Sequence, residues 1–201
     1  MPSVIERATT GRAKCRACGQ AIAKGDERFG EALPNAYGEG ESLFWFHLPC
    51  AACSRPESVL PVLEHGQGET NDREALMGLA KDGIAQPRLC RIAKAERASS
   101  GRARCRHCRE RIEQGAYRIS LQMFEEGRFN PMGTIHATCA VHYLGAEPDV
   151  ARLRLPCNQL SEEELAEVAA QMREGAEREI LPGLAKASAE EPELESSRKS
   201  S

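Results

Sequence analysis

Cysteine and histidine fall in two matching sets. Cys15-x2-Cys18 is followed after 28 residues by His47-x2-Cys50, and Cys105-x2-Cys108 is followed after 27 residues by His136-x2-Cys139. A two-residue spacer lets both side chains of a pair turn toward one ion, and three thiolates with one imidazole suit tetrahedral Zn²⁺. Four protein ligands leave no coordination position open for water, which points to a structural site rather than to zinc-assisted hydrolysis. Each ion can add on the order of 10 kcal/mol to folding. Buried free cysteines with a chance histidine would not produce the pattern twice. A thioredoxin-like redox pair is a poor fit, because Arg16-Ala17 and Arg106-His107 sit in no βαβ context. Cys53 and His142 each lie three residues beyond a ligand and could replace a neighbour, but each set is already complete. Cys90 and Cys157 are isolated and read as packing residues, His107 is expected to point outward between two ligands, and His65 carries no signal.

The sets belong to a repeat. Gly11-Arg12-Ala13-Lys14-Cys15-Arg16-Ala17-Cys18 recurs ninety residues later as Gly101-Arg102-Ala103-Arg104-Cys105-Arg106-His107-Cys108. Ile22 then matches Ile112, Gly25 matches Gly115 and Arg28 matches Arg118; after one deleted residue, His47-Leu48-Pro49-Cys50 matches His136-Ala137-Thr138-Cys139. Such register identifies a duplicated module.

Elements must hold these ligands. Residues 117–124 alternate and are β-prone, predicting a strand, with residues 28–33 as its weaker counterpart. Helical stretches follow Cys50 and Cys139 and break at Pro56 and Gly145. A linker helix is expected over residues 71–82, with Asn71 or Asp72 as N-cap and Gly83 as its stop. Ser161-Glu162-Glu163-Glu164 is a capping box, and Leu165, Val168, Ala169, Met172 and Ile180 form an apolar stripe suited to packing on the second module or, in a sharper reading, to a homodimer face. The fold class expected is α+β: two small zinc-stabilised modules, each a short antiparallel sheet with helices, then a C-terminal helix and a disordered tail. The boundaries expected are 5–55 and 95–146 for the modules, 56–94 for a linker with a short helix, 147–182 for a helical extension and 183–201 for a disordered acidic tail.

Composition agrees with metal-dependent folding. Aromatics make up only 4% of 201 residues, so each core is thin. The N-terminal residues lack the apolar run of a secretory signal and no window approaches a membrane span, so a reducing, cytosolic location is expected, nucleoid-associated if bacterial and nuclear if eukaryotic. Arginine outnumbers lysine 21 to 6, which suggests a GC-rich genome. The net charge of −3 hides an asymmetry: residues 91–145 carry ten basic and five acidic side chains, and residues 146–201 carry seven and thirteen.

The ligand spacing, the leading Gly-Arg-Ala and an arginine ten residues after the second cysteine resemble the poly(ADP-ribose) polymerase-type zinc finger, a family also found at the front of a eukaryotic DNA ligase. The matching residues are Arg12, Cys15, Cys18, Arg28, His47 and Cys50, with Trp45-Phe46 resembling the aromatic pair before the histidine; in the second copy they are Arg102, Cys105, Cys108, Arg118, His136 and Cys139. The resemblance covers about half the chain. It implies a small sheet with helices around each zinc ion and recognition of DNA ends, nicks and gaps by structure rather than sequence. Two departures stand out. Thr134-Ile135 replaces the aromatic pair in the second copy, which is expected to weaken its core, and Glu31, Glu39 and Glu41 form an acidic loop in the first copy where DNA should approach.

The resemblance implies that Arg12, Arg28, Arg102 and Arg118 grip phosphates, with Arg104, Arg106, Arg109, Arg111 and Arg128 thickening the field around the second copy. Guanidinium groups suit this because they stay charged and donate in a fork. Phe124, Phe129 and Met132, with Leu33 and Tyr37 in the first copy, are candidates to cover an exposed base face, and Phe129 is expected at an exposed tip. The leading function is therefore a non-enzymatic binder of broken double-stranded DNA, with two structural Zn²⁺ ions, no membrane partner and an acidic tail suited to recruiting protein. The alternative is a zinc-scaffolded protein-interaction adaptor without DNA binding. No Ser-His-Asp pattern, phosphate-cradling glycine loop or open metal site supports an enzyme. Oligomeric state is not set by the sequence.

Overall fold

A computed structural model describes residues 2–35, 39–65, 70–155 and 159–178. The expected tail, Tyr37, Cys157 and Ile180 lie outside the described residues. Among the described residues, no helix is long and apolar enough to cross a membrane.

Each module is built on a three-stranded antiparallel sheet. In the first, β1 (Val4–Arg7), β2 (Glu27–Pro34) and β3 (Glu41–His47) pair in chain order, with Arg28 opposite His47 and Phe29 opposite Phe46. In the second, β4 (Ile92–Arg97), β5 (Tyr117–Glu125) and β6 (Arg128–His136) repeat the arrangement, with Arg118 opposite His136 and Ile119 opposite Ile135. The expected strands are β5 and β2. The outer strands β1 and β4 are too short to show a period in sequence, and register with a partner creates them. Gly30 lies under Trp45: a Cβ there would come within 2.7 Å of the indole. Ile135 is fully buried, so an aliphatic side chain takes the place of an aromatic in the second copy's core.

Helices follow each sheet. After the first come α1 (Leu48–Ser54), α2 (Pro56–His65) and α3 (Arg73–Ala85), separated at Pro56 as the sequence indicates. Residues placed in a linker are thus a helical layer: Val59 and Leu63 of α2 and Leu76, Leu79 and Ala80 of α3 share one core with Phe29 and Phe46. Two details differ from expectation. Asp72 occupies the N-cap position in a left-handed conformation (φ 55) without a side-chain cap bond, and α3 runs two residues past Gly83. Gly83 is needed for close approach instead, since a Cβ there would meet Cys90 Sγ at 2.9 Å. Burial of an apolar face outweighs the glycine's preference for a helix end.

The second module continues through a 3₁₀ turn (Ala137–Cys139), α4 (Ala140–Leu144), α5 (Val150–Leu153) and α6 (Glu162–Glu177). Gly145 terminates α4 with φ 79, as a left-handed C-cap requires. Ser161 and Glu164 make the capping box reciprocally, and Leu165, Val168 and Met172 lie in the second module's core. Helix α6 is therefore packed intramolecularly along this face. Gly175 permits it, because a Cβ would overlap the carbonyl of Thr138 beside ligand Cys139.

The modules also touch. Phe129 packs on Phe46 at 6.3 Å and on Phe124 at 4.9 Å between ring centroids. Ala151 of α5 and Leu155 just beyond it join the first module's core, and the buried Arg152 donates from Nη1 to Cys53 O at 3.2 Å and from Nη2 to Leu79 O.

Candidate zinc centres and the arginines around them

A turn, a strand end and a helix start converge on each ligand set. Cys15 and Cys18 sit on a tight knuckle closed by Cys15 N donating to Gln20 O at 2.8 Å, and Arg16 N donating to Trp45 O at 2.9 Å ties that knuckle to β3. His47 ends β3 and Cys50 lies in the first turn of α1, so the x2 spacing brings both to one side. The second copy repeats this with Cys105 N to Glu110 O at 2.8 Å and Arg106 N to Thr134 O at 2.9 Å.

All four ligand atoms of each set lie within 4.8 Å of one another. A tetrahedral ion with sulfur at about 2.3 Å and nitrogen at about 2.0 Å requires S···N edges of about 3.5 Å. Cys18 and Cys50 Sγ stand 3.4 and 3.8 Å from His47 Nδ1, and Cys108 and Cys139 Sγ stand 3.4 and 3.8 Å from His136 Nδ1. Each ring's Nε2 faces a carbonyl, Ala21 O at 3.2 Å and Arg111 O at 3.1 Å. A carbonyl only accepts, so Nε2 carries the proton and Nδ1 keeps its lone pair for the metal. The residues fit zinc, and the chain binds two ions.

Electrostatics divide the thiols of each set: Cys15 and Cys105 are drawn down, while Cys50 and Cys139 are pushed up by the sulfurs beside them and by burial, and Cys108 by burial first. Hydrogen bonds from Cys18 and Cys50 hold Cys15 far below the ordinary thiol range despite burial. Cys139 is the main cause that draws Cys105 down to about 4. Contacts with Cys15 and then Cys18 push His47 up to about 10, a measure of the negative charge gathered there. Neither alternative ligand enters a set: burial pushes the Cys53 thiol up to about 11, and His142 Nε2 lies 2.8 Å from Gly175 O. Cys90 donates to Gly83 O at 3.5 Å. His107 is half-buried, stacked on His142 at 6.0 Å.

Curated relatives of this chain include poly(ADP-ribose) polymerases. The Drosophila melanogaster enzyme is 26% identical over 62% of the chain, poly(ADP-ribose) polymerase 1 of Gallus gallus 28% over 61%, and that of Oryza sativa subsp. japonica 29% over 67%. The chain spans only 14% of each relative's own length, in the N-terminal zinc-finger part. No family model matches the chain. Repeated knuckles, repeated Cys₃His sets and these matches point the same way. The two modules fit PARP-type zinc fingers in tandem.

Around these fingers the arginines divide into two groups. Arg28 Nη2 donates to Glu6 Oε1 at 2.6 Å with its side chain 10% exposed, and its guanidinium lies 3.6 Å from the centre of the Trp45 ring. Arg118 pairs with Glu96 at 2.9 Å with its side chain 16% exposed. Arg12, Arg102 and Arg128 are exposed and make no ion pair with a described carboxylate. The sequence reading missed Glu6 and Glu96, although a signal existed: they are ninety residues apart, in register with the repeat.

Two expectations about the fingers' surfaces are corrected. Glu31 is no loop acid; it lies on β2, 2% exposed, accepting from Arg55 Nη2 at 2.6 Å and Ser58 Oγ at 2.5 Å. Phe129 is no exposed tip but half-buried between the fingers. Phe124 lies in the same contact, under the Arg55 guanidinium at 3.9 Å. Hydrophobic burial explains this, since a hairpin tip carrying two rings gains more from an apolar neighbour than from water. Arg55 itself left no sequence signal, being a single arginine between two helices.

Proposed function

We propose that this protein binds broken duplex DNA, at ends or nicks, by structure rather than by sequence, and performs no catalysis itself. The observation that carries the reading is the duplicated finger: two Cys₃His sets of one geometry in a chain whose relatives include poly(ADP-ribose) polymerases. In this reading the zinc ions are structural. What the chain supplies is a rigid pair of knuckles presenting guanidinium groups, with phosphate contacts that position without reading bases. Protein recruitment through the acidic C-terminal segment is part of the same proposal.

Fluorescent nicked, blunt-ended and closed-circular duplexes titrated with the full chain test it. Tighter binding to the first two is the expected result. Equal or absent binding to all three would overturn the reading in favour of a protein-interaction adaptor. One observation favours that second reading: the family-matched Arg28 and Arg118 are already held by carboxylates.

A further inference from the structure

Arginine is distributed unequally between the two knuckles. Residues 12–21 of the first finger hold three cations, Arg12, Lys14 and Arg16; residues 102–111 of the second hold five arginines, Arg102, Arg104, Arg106, Arg109 and Arg111, with Glu110 as the one carboxylate among them. All five are exposed, and none makes an ion pair with a described carboxylate. Their backbone is held firmly. Arg104 bridges Arg111, Arg109 N donates to Cys105 O at 3.0 Å, and Ile112 N donates to Ala103 O at 2.9 Å. Arg104 Nη1 donates to Arg109 O at 3.3 Å and Arg106 Nη1 to Met132 O at 2.6 Å. Each bond aims a guanidinium while leaving its other nitrogens free.

Arg109 is the telling residue. It adopts φ 67, the left-handed region, where the first copy has Gly19 at φ 73. An L side chain is disfavoured there and glycine is not. The second copy therefore tolerates strain to place a cation at this turn, and strain of this kind gathers at functional positions. Arg111 likewise stands where the first copy has Ala21. Meanwhile the strand arginine of the same finger, Arg118, is largely buried against Glu96, which also accepts from Ser120 Oγ at 2.6 Å.

We propose that the phosphodiester backbone of DNA is held by the zinc knuckle of the second finger, through Arg104, Arg106, Arg109 and Arg111, and that Arg118 serves folding through Glu96. The proposal rests on the DNA-binding reading above and names the site within it. Each phosphate contact adds about 0.9 to the slope of log K against log salt. With a nicked duplex and the full chain, replacing all four knuckle arginines by glutamine should make that slope shallower by about 3.6. Arg118→Gln should leave the slope unchanged and lower the melting temperature. Arg109→Gly should do the reverse, raising the melting temperature while the slope drops by about 0.9. Stoichiometric zinc in each variant checks folding, and the single Arg109→Gly substitution serves if the fourfold variant loses metal. Should the zinc-loaded knuckle variants keep the full slope, or Arg118→Gln lose it, the site assignment falls while DNA binding stands. Should the unaltered chain show no salt-dependent binding, both fall.

Discussion

The guanidinium of Arg55 lies 3.9 Å from the centre of the Phe124 ring while donating to Glu31, so one side chain joins the first finger's helix junction and buried acid to the second finger's hairpin. Phe129 extends the contact to Phe46. Together they make the two fingers a packed pair rather than beads on a string.

Phe129→Ala should accordingly destabilise the chain. A fully buried phenylalanine costs about 3–5 kcal/mol on truncation, and a half-buried one about half of that. Chemical denaturation of the zinc-loaded protein measures the loss. Small-angle scattering should show a larger radius, because the fingers lose their mutual contact; an unchanged midpoint and radius would mean that the aromatic contact holds nothing.

Zinc should leave the second finger first. Cys15, His47 and Cys50 are no more than 9% exposed, whereas only Cys105 is fully buried in the other set. Chelator challenge should release two ions per chain in two phases. Cys108→Ser should remove the faster phase and Cys18→Ser the slower. Acidification should act in the same direction, since protons compete with metal for thiolate, so affinity falls as pH falls.

Two glycines should respond oppositely to alanine. At Gly175 a Cβ overlaps Thr138 O, so α6 must shift from the turn carrying Cys139; overpacking of this kind costs about 1–3 kcal/mol. At Gly78, exposed within α3, a Cβ meets nothing within 4 Å, so alanine should stabilise by about 0.5–1 kcal/mol. Melting temperatures of the two variants, moving in opposite directions, check both.

Glu96 should make stability pH-dependent. Burial raises its carboxyl, but hydrogen bonds from Lys94 and Ser120 and the charge of Arg118 outweigh it, so it is held below the usual carboxylate range. A depressed acid stabilises above its ordinary value of about 4 and loses that contribution as pH falls through its folded value. Glu96→Gln should thus be less stable than the unaltered chain at neutral pH, with the gap closing in acid. Denaturation across pH checks it; a constant gap would assign the loss to packing alone.

Metal chemistry was legible in the residues themselves because it is local. Two-residue spacers dictate that neighbouring thiolates share an ion, and a repeat of ninety residues shows that the arrangement occurs twice. The capping box at Ser161 and the stripe from Leu165 to Met172 were readable for the same reason, since helix periodicity relates residues a few positions apart. Strands β1 and β4, four and six residues long, were not, because pairing rather than pattern creates short edge strands.

Sequence alone thus determined the ligands, the duplication and the family resemblance. Tertiary structure decided how the remaining side chains are used: Arg28 and Arg118 meet Glu6 and Glu96 across strands, 22 residues apart in each copy, and Phe124 and Phe129 are covered by the other finger. An arginine's availability depends on whether a carboxylate reaches it, and a ring's exposure on what packs over it. Both are set by partners distant in the chain, which spacing does not encode.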